Sequence, residues 1–326
     1  MEALDQFHKN MHKTAYYLKG YGRTLLPDFY GRREARQLFA DFERMDAATQ
    51  AEILRRVNYY NKLTESFALD YSVPSSETFN SKGKSAAYFV DYSRFLSWFP
   101  KQWRASYLFG DITHIPDVPT FLKSRPVFAG NDNANSILLK LNKIRHYYFV
   151  KDRMGFDEKL PMIVWRGKTT QPERTEFLQR FHGSPVCDVG DTYKKMAGTI
   201  YAKPFMSIPE QLRYKYVLSI EGYDVATNTK WIMASNSVCF MRKPRFETWF
   251  MEGALIPDVH YVQLKDDHSD LEEKVAFYNA HPELAKTIVA NANRYVEQFR
   301  NHKQESIIAL LVMQKYFRLS GQLQQG

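Results

Sequence analysis

Cysteine is scarce in this sequence. Cys187 and Cys239 are the only two among 326 residues, and an apolar residue adjoins each of them. A chain of this length with two cysteines cannot carry the dense disulfide framework of a small secreted domain. We therefore expect reduced thiols in a cytosolic protein.

Long apolar segments are also missing. No run approaches the roughly 20 apolar residues that cross a bilayer. The first residues, MEALDQFHKNMHK, lack the apolar core of a signal peptide. These two absences predict a cytoplasmic location.

The common motifs for metals and nucleotides are absent too. The sequence contains no D-x-D, CxxC or HExxH, and neither the Walker pattern nor G-x-G-x-x-G. The acidic stretch KDDHSDLEE is better interpreted as a loop in which Asp267 or Ser269 caps the next helix. We therefore expect no metal site.

The composition is that of a folded, basic protein. Apolar residues make up 44% of the chain and charged residues 25%, and 45 Lys and Arg against 36 Asp and Glu give a net charge of +9. The length fits two domains of about 150 residues each. The charge favours anionic partners, although solubility alone would also explain it.

The first 65 residues have helical apolar spacing, and the first helix is predicted to end at Gly20 and Gly22. Seven cations stand among tyrosines in this region: Lys9, Lys13, Lys19, Arg23, Arg32, Arg33 and Arg36. This pattern is typical of a helix on an anionic membrane surface and equally of a solvated helix face.

Strands and helices alternate after this region. AAYFVDY (86–92) and ASYLFG (105–110) are predicted as strands. The pattern of SILLKLNKIRHYYFV fits either a helix or a strand. From Asp152 onwards the alternation is regular, which predicts a parallel sheet flanked by helices. We expect a Rossmann-like C-terminal half and a second such domain, with a helical extension, in the N-terminal half.

A basic turn follows the predicted strand Met162–Trp165. Arg166, Gly167 and Lys168 end the strand, and a helix beginning near Pro172 carries Arg174. A glycine, cations and the free amides of a helix start are suited to a diphosphate. A tight turn with solvated cations explains the same residues.

A second strand, turn and helix occur in YKYVLSIEGYDVATNTKWIM. Gly222 and Asp224 follow the strand, and Asn228 and Lys230 lie at the helix start. These residues are predicted to face the same ligand, or simply to form a turn with helix caps.

The region from Lys215 to Val275 resembles the C-terminal core of glycosyltransferase family 90. The resemblance rests on the glycine turn, the helix lysine, E-x-W-F, HYV and D-x-S-D-L, together with WRG…PER and GDITHIP upstream. It extends from about residue 88 to 299 and is closest to the bacterial lipopolysaccharide branch. It implies a GT-B fold with two Rossmann-like domains facing a cleft, and metal-free inverting transfer.

The resemblance also implies roles for individual residues. Asp111 matches the family's general base, with His114 as the alternative base. The implied donor-binding residues are Arg166, Gly167, Lys168, Arg174, Gly222, Asp224, Asn228, Lys230 and Glu247, and the acceptor-side residues are His114, Lys123 and Arg125. Relatives carry a phosphate-binding arginine at the position of Asn228, for which Lys230, Arg166 or Arg213 would have to substitute.

Together these features predict three regions: an acceptor-side domain over residues 1–155, a nucleotide-sugar domain over 156–300 and a C-terminal helix over 301–326 that packs back on the first. The implied reaction moves glucose or galactose from a UDP-sugar to the lipopolysaccharide inner core. The expected setting is peripheral contact with the inner face of the inner membrane, with no nucleic-acid partner. A capsule glycan or a protein is the alternative acceptor, and a non-catalytic basic binding protein is the alternative function.

Overall fold

A parallel sheet flanked by helices organises the C-terminal half of the chain. The computed structural model describes residues 2–127 and 132–323, with backbone alone for residues 2–10 and 12. The helices are α1 (Glu2–Thr24), α2 (Asp28–Glu43), α3 (Ala47–Tyr60), α4 (Ala86–Leu96), α5 (Lys143–His146), α6 (Pro172–Phe181), α7 (Ile208–Gln211), α8 (Thr229–Met233), α9 (Leu271–Ala280), α10 (Pro282–Glu297) and α11 (His302–Leu319). The strands are β1 (Thr120–Leu122), β2 (Ser124–Pro126), β3 (Ser136–Leu138), β4 (Leu160–Gly167), β5 (Cys187–Asp191), β6 (Tyr214–Leu218), β7 (Val238–Arg242), β8 (Phe246–Thr248) and β9 (Val262–Leu264).

The described chain forms two compact units. The first contains the residues up to Arg145, the segment Phe246–Phe250 and the chain from Phe299 onwards. The second contains His146–Arg245 and Met251–Gln298. The domain boundaries at residues 155 and 300 stay a prediction.

The second unit contains a five-stranded sheet in the order β5-β4-β6-β7-β9, and every pair of neighbours is parallel. Ile163, Val164 and Trp165 are all buried in β4, as expected of a strand covered on both faces. Apolar residues of α6, α9 and α10 join the strands in one core. The predicted parallel sheet of the C-terminal half is therefore confirmed.

The first unit has smaller sheets. In its described part, β1 pairs with β3 in parallel and β2 pairs with β8 in antiparallel orientation. The helix α11 contacts α2, α3 and α4. This arrangement is a mixed α/β structure rather than an extended doubly wound sheet.

Two predicted strands of the first unit are wrong. Residues 86–92 belong to the helix α4, whose residues from Ala87 to Tyr92 are all buried. A helix that is apolar all round loses the helical spacing of polar residues and is easily mistaken for a strand. Residues 105–110 are extended but join β1 through a single parallel bridge, between Tyr107 and Phe121.

The helix α1 continues through Gly20 and Gly22 to Thr24, so the predicted stop at these glycines is also wrong. Gly20 instead allows close packing, since a Cβ there would lie 2.1 Å from a methyl of Val90 on α4. Gly31 on α2 also allows close packing, because a Cβ there would lie 2.1 Å from the carbonyl oxygen of Ser97. One side of the α1–α2 pair therefore packs on α4. Among the described residues, no helix is both long and apolar enough to cross a membrane.

Candidate functional site

In the sheet of the second unit, the direction in which successive strands are added reverses between β4 and β6. The chain leaves β4 for β5 on one side and then returns to β6 on the other. The loops after β4 and β6 therefore diverge at their carboxyl ends, which is where open parallel sheets bind ligands. The predicted residues Gly167, Lys168, Gly222 and Asn228 all lie in or beside these two loops.

Arg174 connects the two loops. It lies in the first turn of α6, and its guanidinium donates to three backbone carbonyls: Lys168 at 3.1 Å, Ile220 at 2.9 Å and Glu221 at 3.1 Å. Gly222 lies beside it, since a Cβ there would be 3.4 Å from Arg174 Nη2, which is an ordinary van der Waals distance. The structure thus brings the two predicted turns together around one cation.

Asp191 fixes the turn after β4. Its buried carboxylate accepts from the backbone N–H of Thr169 at 3.1 Å, from the Thr169 hydroxyl, and from the backbone N–H of Tyr193 at 2.6 Å. The ammonium of Lys168 is exposed and lies 5.8 Å from the ring centre of Tyr193. Sequence reasoning missed Asp191, although its place at the end of an apolar strand was a usable indication.

Arg166 points away from this turn. Its guanidinium donates to Asp188 Oδ1 at 2.8 Å and to the Asp188 carbonyl at 2.8 Å, which links β4 to β5. Burial would raise the pKa of Asp188, but hydrogen bonds from Lys203, Tyr214 and Arg166 outweigh it and lower the pKa to about 2. The charge of Arg166 is therefore balanced within the fold.

The helix α8 begins with residues that bond to the end of β6. Asn228 Nδ2 donates to the Leu218 carbonyl at 2.9 Å, and the hydroxyls of Ser219 and Thr229 are 2.7 Å apart. The N–H of Gly222 donates to the carbonyl of Asp224, whose side chain is buried, at 3.1 Å. This loop is shaped by its own hydrogen bonds.

Two of the residues expected to substitute for the family's phosphate-binding arginine do not provide an exposed cation at the carboxyl edge of the sheet. Lys230 is wholly buried and pairs with the carboxylate of Glu252. Arg213 precedes β6 and so lies at the amino end of the sheet, opposite the ligand-binding edge. Lys168 and Arg174 are the predicted cations that remain at the carboxyl edge.

A network of four charged side chains lies beside the same edge and was not predicted. Arg245 Nε donates to Glu221 at 2.9 Å and its Nη2 to Glu173 at 3.2 Å, while Arg242 lies 3.8 Å from Glu221 and 3.9 Å from Glu173. These pairs join the first turn of α6 to the ends of β6 and β7. These salt bridges connect the elements at the carboxyl edge of the sheet.

The predicted base lies in the first unit. The extended segment before Gly110 runs parallel to β1, so Asp111 follows the end of this segment and Lys123 follows the carboxyl end of β1 beside it. The Lys123 ammonium is 2.5 Å from Asp111 Oδ1, and the lysine side chain is 2% exposed against 40% for the aspartate. One carboxylate therefore contacts a buried cation while remaining open to solvent.

The loop around Asp111 is anchored at both ends. The Tyr88 hydroxyl donates to the Gly110 carbonyl at 3.2 Å, and Gly110 has a φ of 118°, which favours glycine. Asn135 Nδ2 donates to the carbonyls of Pro116 at 3.0 Å and Asp117 at 2.9 Å. His114 is exposed within this loop.

Arg125 and Glu247 pair with each other inside the first unit. Arg125 Nε lies 2.7 Å from Glu247 Oε1, across the β2–β8 ladder, and the Tyr59 hydroxyl also donates to Glu247. Both residues are at most 2% exposed. The pairing accounts for their burial without a ligand, so the predicted acceptor-side role of Arg125 and the predicted donor-binding role of Glu247 are not favoured by this geometry.

Within residues 2–127 and 132–323, no group of three or more His, Cys, Asp or Glu side chains is arranged to hold a metal ion. Metal independence nevertheless stays a prediction. Both cysteines are free and buried, in agreement with the expected reduced thiols.

Comparison with known proteins gives consistent matches. The model of glycosyl transferase family 90 matches residues 140–321. The chain is 45% identical over 315 residues to O-glucosyltransferase LpsA of Dichelobacter nodosus, covering 97% of this chain and 98% of that one. It is 26% identical over 146 residues to protein O-glucosyltransferase 2 of Danio rerio and over 155 residues to protein O-glucosyltransferase 1 of Homo sapiens. These matches cover 43% and 45% of this chain, but only 29% and 38% of the animal proteins.

Proposed function

Because this chain belongs to glycosyl transferase family 90 and is therefore a glycosyltransferase, we propose that it moves a hexose from a UDP-sugar to the lipopolysaccharide inner core, with inversion at the anomeric carbon. Glucose is the first candidate and galactose the second, since the bacterial relative is named an O-glucosyltransferase. The proposal includes a GT-B arrangement and a cytoplasmic, peripheral position at the inner membrane.

The point between β4 and β6 where the strand order reverses is the observation that carries the proposal. It combines the exposed cation Lys168, the guanidinium of Arg174 and the start of α6 at the ligand-binding edge of a parallel sheet. A departing UDP gains negative charge, which cations and helix amides stabilise. Gly167, Gly222, Asp224 and Asn228 would shape the same donor site.

Asp111 is the proposed base. A sugar hydroxyl is a poor nucleophile, so its proton must leave as its oxygen attacks the anomeric carbon. The bond from that carbon to the phosphate oxygen breaks on the opposite face, and Asp111 receives the proton. The exposed carboxylate of Asp111, held by Lys123, suits this role.

The reaction is tested with purified protein, UDP-glucose or UDP-galactose, and a core oligosaccharide acceptor. Mass spectrometry should detect the addition of one hexose, and NMR of the product should show the inverted anomer. EDTA should leave the rate unchanged; loss of transfer with EDTA and recovery with Mn²⁺ would show that the metal-free mechanism is wrong. Transfer to a protein or capsule glycan alone would replace the proposed acceptor.

The base is tested with Asp111→Asn. We expect kcat to fall about 10²–10⁴-fold while UDP-sugar affinity is retained, because the amide keeps the shape but cannot take a proton. Asp117→Asn is the matched control, since Asp117 is an exposed carboxylate of the same loop. If His114→Ala loses transfer while Asp111→Asn keeps it, the base is His114.

A further inference from the structure

The turn between α1 and α2 exposes an unusual amount of apolar surface. The exposed fractions are 85% for Leu25, 70% for Leu18, 53% for Phe29, 49% for Leu26, 47% for Tyr30 and 40% for Tyr21. We call these six residues the apolar tip. Several large apolar side chains exposed in one short stretch of chain indicate a contact with a protein or a membrane.

Hydrogen bonds and ring stacking give the apolar tip a defined conformation. The N–H groups of Leu25 and Leu26 donate to carbonyls one turn back in α1, at 3.3 and 3.2 Å, and the N–H of Tyr30 donates to the Pro27 carbonyl at 3.0 Å. The rings of Phe29 and Tyr30 stack with centroids 4.1 Å apart. Gly20 and Gly31 pack against Val90 and Ser97, and the Tyr21 ring contacts the Phe89 ring with centroids 5.7 Å apart, so this side of the helix pair meets the core while Leu25 and Leu18 are the most exposed of the six.

The exposed charge around the tip is positive. Lys13, Lys19, Arg32, Arg33 and Arg36 are exposed. Two acidic residues of this region are half-buried and paired, Glu34 with Arg23 and Arg94, and Asp28 with Lys101 at 3.0 Å and Arg32 at 3.7 Å. Glu77 beside them is exposed, and the five exposed cations outnumber it. An apolar centre with a cationic rim is complementary to an anionic bilayer surface, where acyl chains lie beneath negative headgroups.

A second copy of the chain is the competing occupant. In a two-fold symmetric contact the same patch meets itself, so the cations of one rim would face those of the other. An anionic lipid surface has no such repulsion. We infer that the apolar tip is a membrane-docking element that inserts Leu25, Leu26 and Phe29 into the headgroup region of an anionic bilayer. This inference deepens the peripheral contact included in the proposed function, but it rests on residues outside the transfer chemistry.

The test is co-sedimentation of the full chain with vesicles of phosphatidylcholine alone or mixed with phosphatidylglycerol, at low and high salt. Binding should require phosphatidylglycerol and weaken with salt. The triple variant Leu25→Ser, Leu26→Ser, Phe29→Ser should lose at least about tenfold in partitioning, since three apolar side chains no longer insert. Arg32→Gln, Arg33→Gln and Arg36→Gln should each cost about fivefold at low salt.

The matched control is Tyr71→Ser, Ile200→Ser, Leu284→Ser, which removes similarly exposed apolar residues elsewhere. It should bind like the wild type, and both triple variants should keep the wild-type Tm. Equal binding of the tip variant and the control would overturn the inference. A lipid-free dimer that only the tip variant dissociates, with unchanged vesicle binding, would assign the tip to a second copy.

A fluorophore gives an independent readout. Cys187 and Cys239 are buried, so a dye can be placed selectively on Leu25→Cys, with Tyr71→Cys as the control. Anionic vesicles should shift the emission of the first dye to the blue and leave the second unchanged. Neither vesicle assay requires sugar transfer, so a failure here is distinguishable from a failure of the proposed reaction.

Discussion

At the residue scale, the contact between Lys123 and Asp111 determines what the proposed base can do. A buried ammonium needs a negative partner, and Lys123 Nζ finds one 2.5 Å away in a carboxylate that is itself partly exposed. The lysine restricts the rotation of Asp111 and leaves its second oxygen available to a substrate. Lys123 is therefore a positioning residue in the proposed mechanism.

Lys123→Met should lower the kcat of transfer by about tenfold or more, because a misplaced base loses much of its advantage. Donor affinity should not change, and Lys123→Arg should recover part of the rate. In the Asp111→Asn background, Lys123→Met should have no additional effect on kcat. Additive losses in the double variant would mean that Lys123 does not act through Asp111.

Residue types at the site could be predicted from sequence, but their partners could not. Arg166 and Lys168 flank the same glycine, yet one pairs with Asp188 in the next strand and the other is exposed. Glu247 and Arg125 are separated by 122 positions and meet only because β2 and β8 pair. Such pairings depend on strand order, which local patterns do not specify.

At the element scale, the strand order reverses between β4 and β6, and α6 provides the residue that connects the two loops at this point. Arg174 donates to carbonyls in both loops, so it fixes their separation as well as adding charge. Lysine has a single nitrogen and cannot reproduce a planar three-way contact of this kind.

Arg174→Ala should weaken UDP binding about tenfold to a hundredfold, because a charge-assisted contact is worth about 1.5–3 kcal/mol. Arg174→Lys should recover little of this affinity. Arg180→Ala is the control on the same helix, since Arg180 is exposed and pairs with Asp267 at 3.5 Å. Calorimetry that finds equal UDP affinity in all variants would remove Arg174 from the donor site.

Helices and strands with a clear local sequence pattern could be predicted, and those without one could not. The strand at Met162–Trp165 and the helix from Pro172 were recognisable, because a buried apolar run and a proline start are local features. A proline likewise begins α10, directly after the break at His281 that ends α9. The first part of α4 carried no such pattern, because every residue from Ala87 to Tyr92 is buried.

At the scale of the whole molecule, a buried group of charges joins distant parts of the first unit. Glu305 on α11 lies 2.7 Å from Arg56 on α3 and 2.6 Å from Lys140, and it accepts from Trp249 Nε1 at 2.7 Å. All four residues are buried. One carboxylate thus connects the N-terminal helices, the segment after β3, the segment Phe246–Phe250 and the C-terminal helix.

Glu305→Gln should therefore destabilise the protein far more than an ordinary surface change. The amide keeps the size of the side chain but leaves Arg56 and Lys140 buried beside no negative charge, and breaking a buried pair in this way costs about 3–5 kcal/mol. Burial lowers the pKa of Lys140 and Glu305 opposes that shift, so removing the carboxylate should lower this pKa further. Glu283→Gln is the control, because Glu283 is 82% exposed and its salt bridge with Lys286 is a surface pair that contributes little to stability. Urea unfolding followed by tryptophan fluorescence measures both variants. Equal urea midpoints for Glu305→Gln and Glu283→Gln would show that the buried charges do not hold the first unit together. Recovery of stability in Glu305→Gln/Lys140→Met would show that the uncompensated ammonium of Lys140 causes the loss of stability.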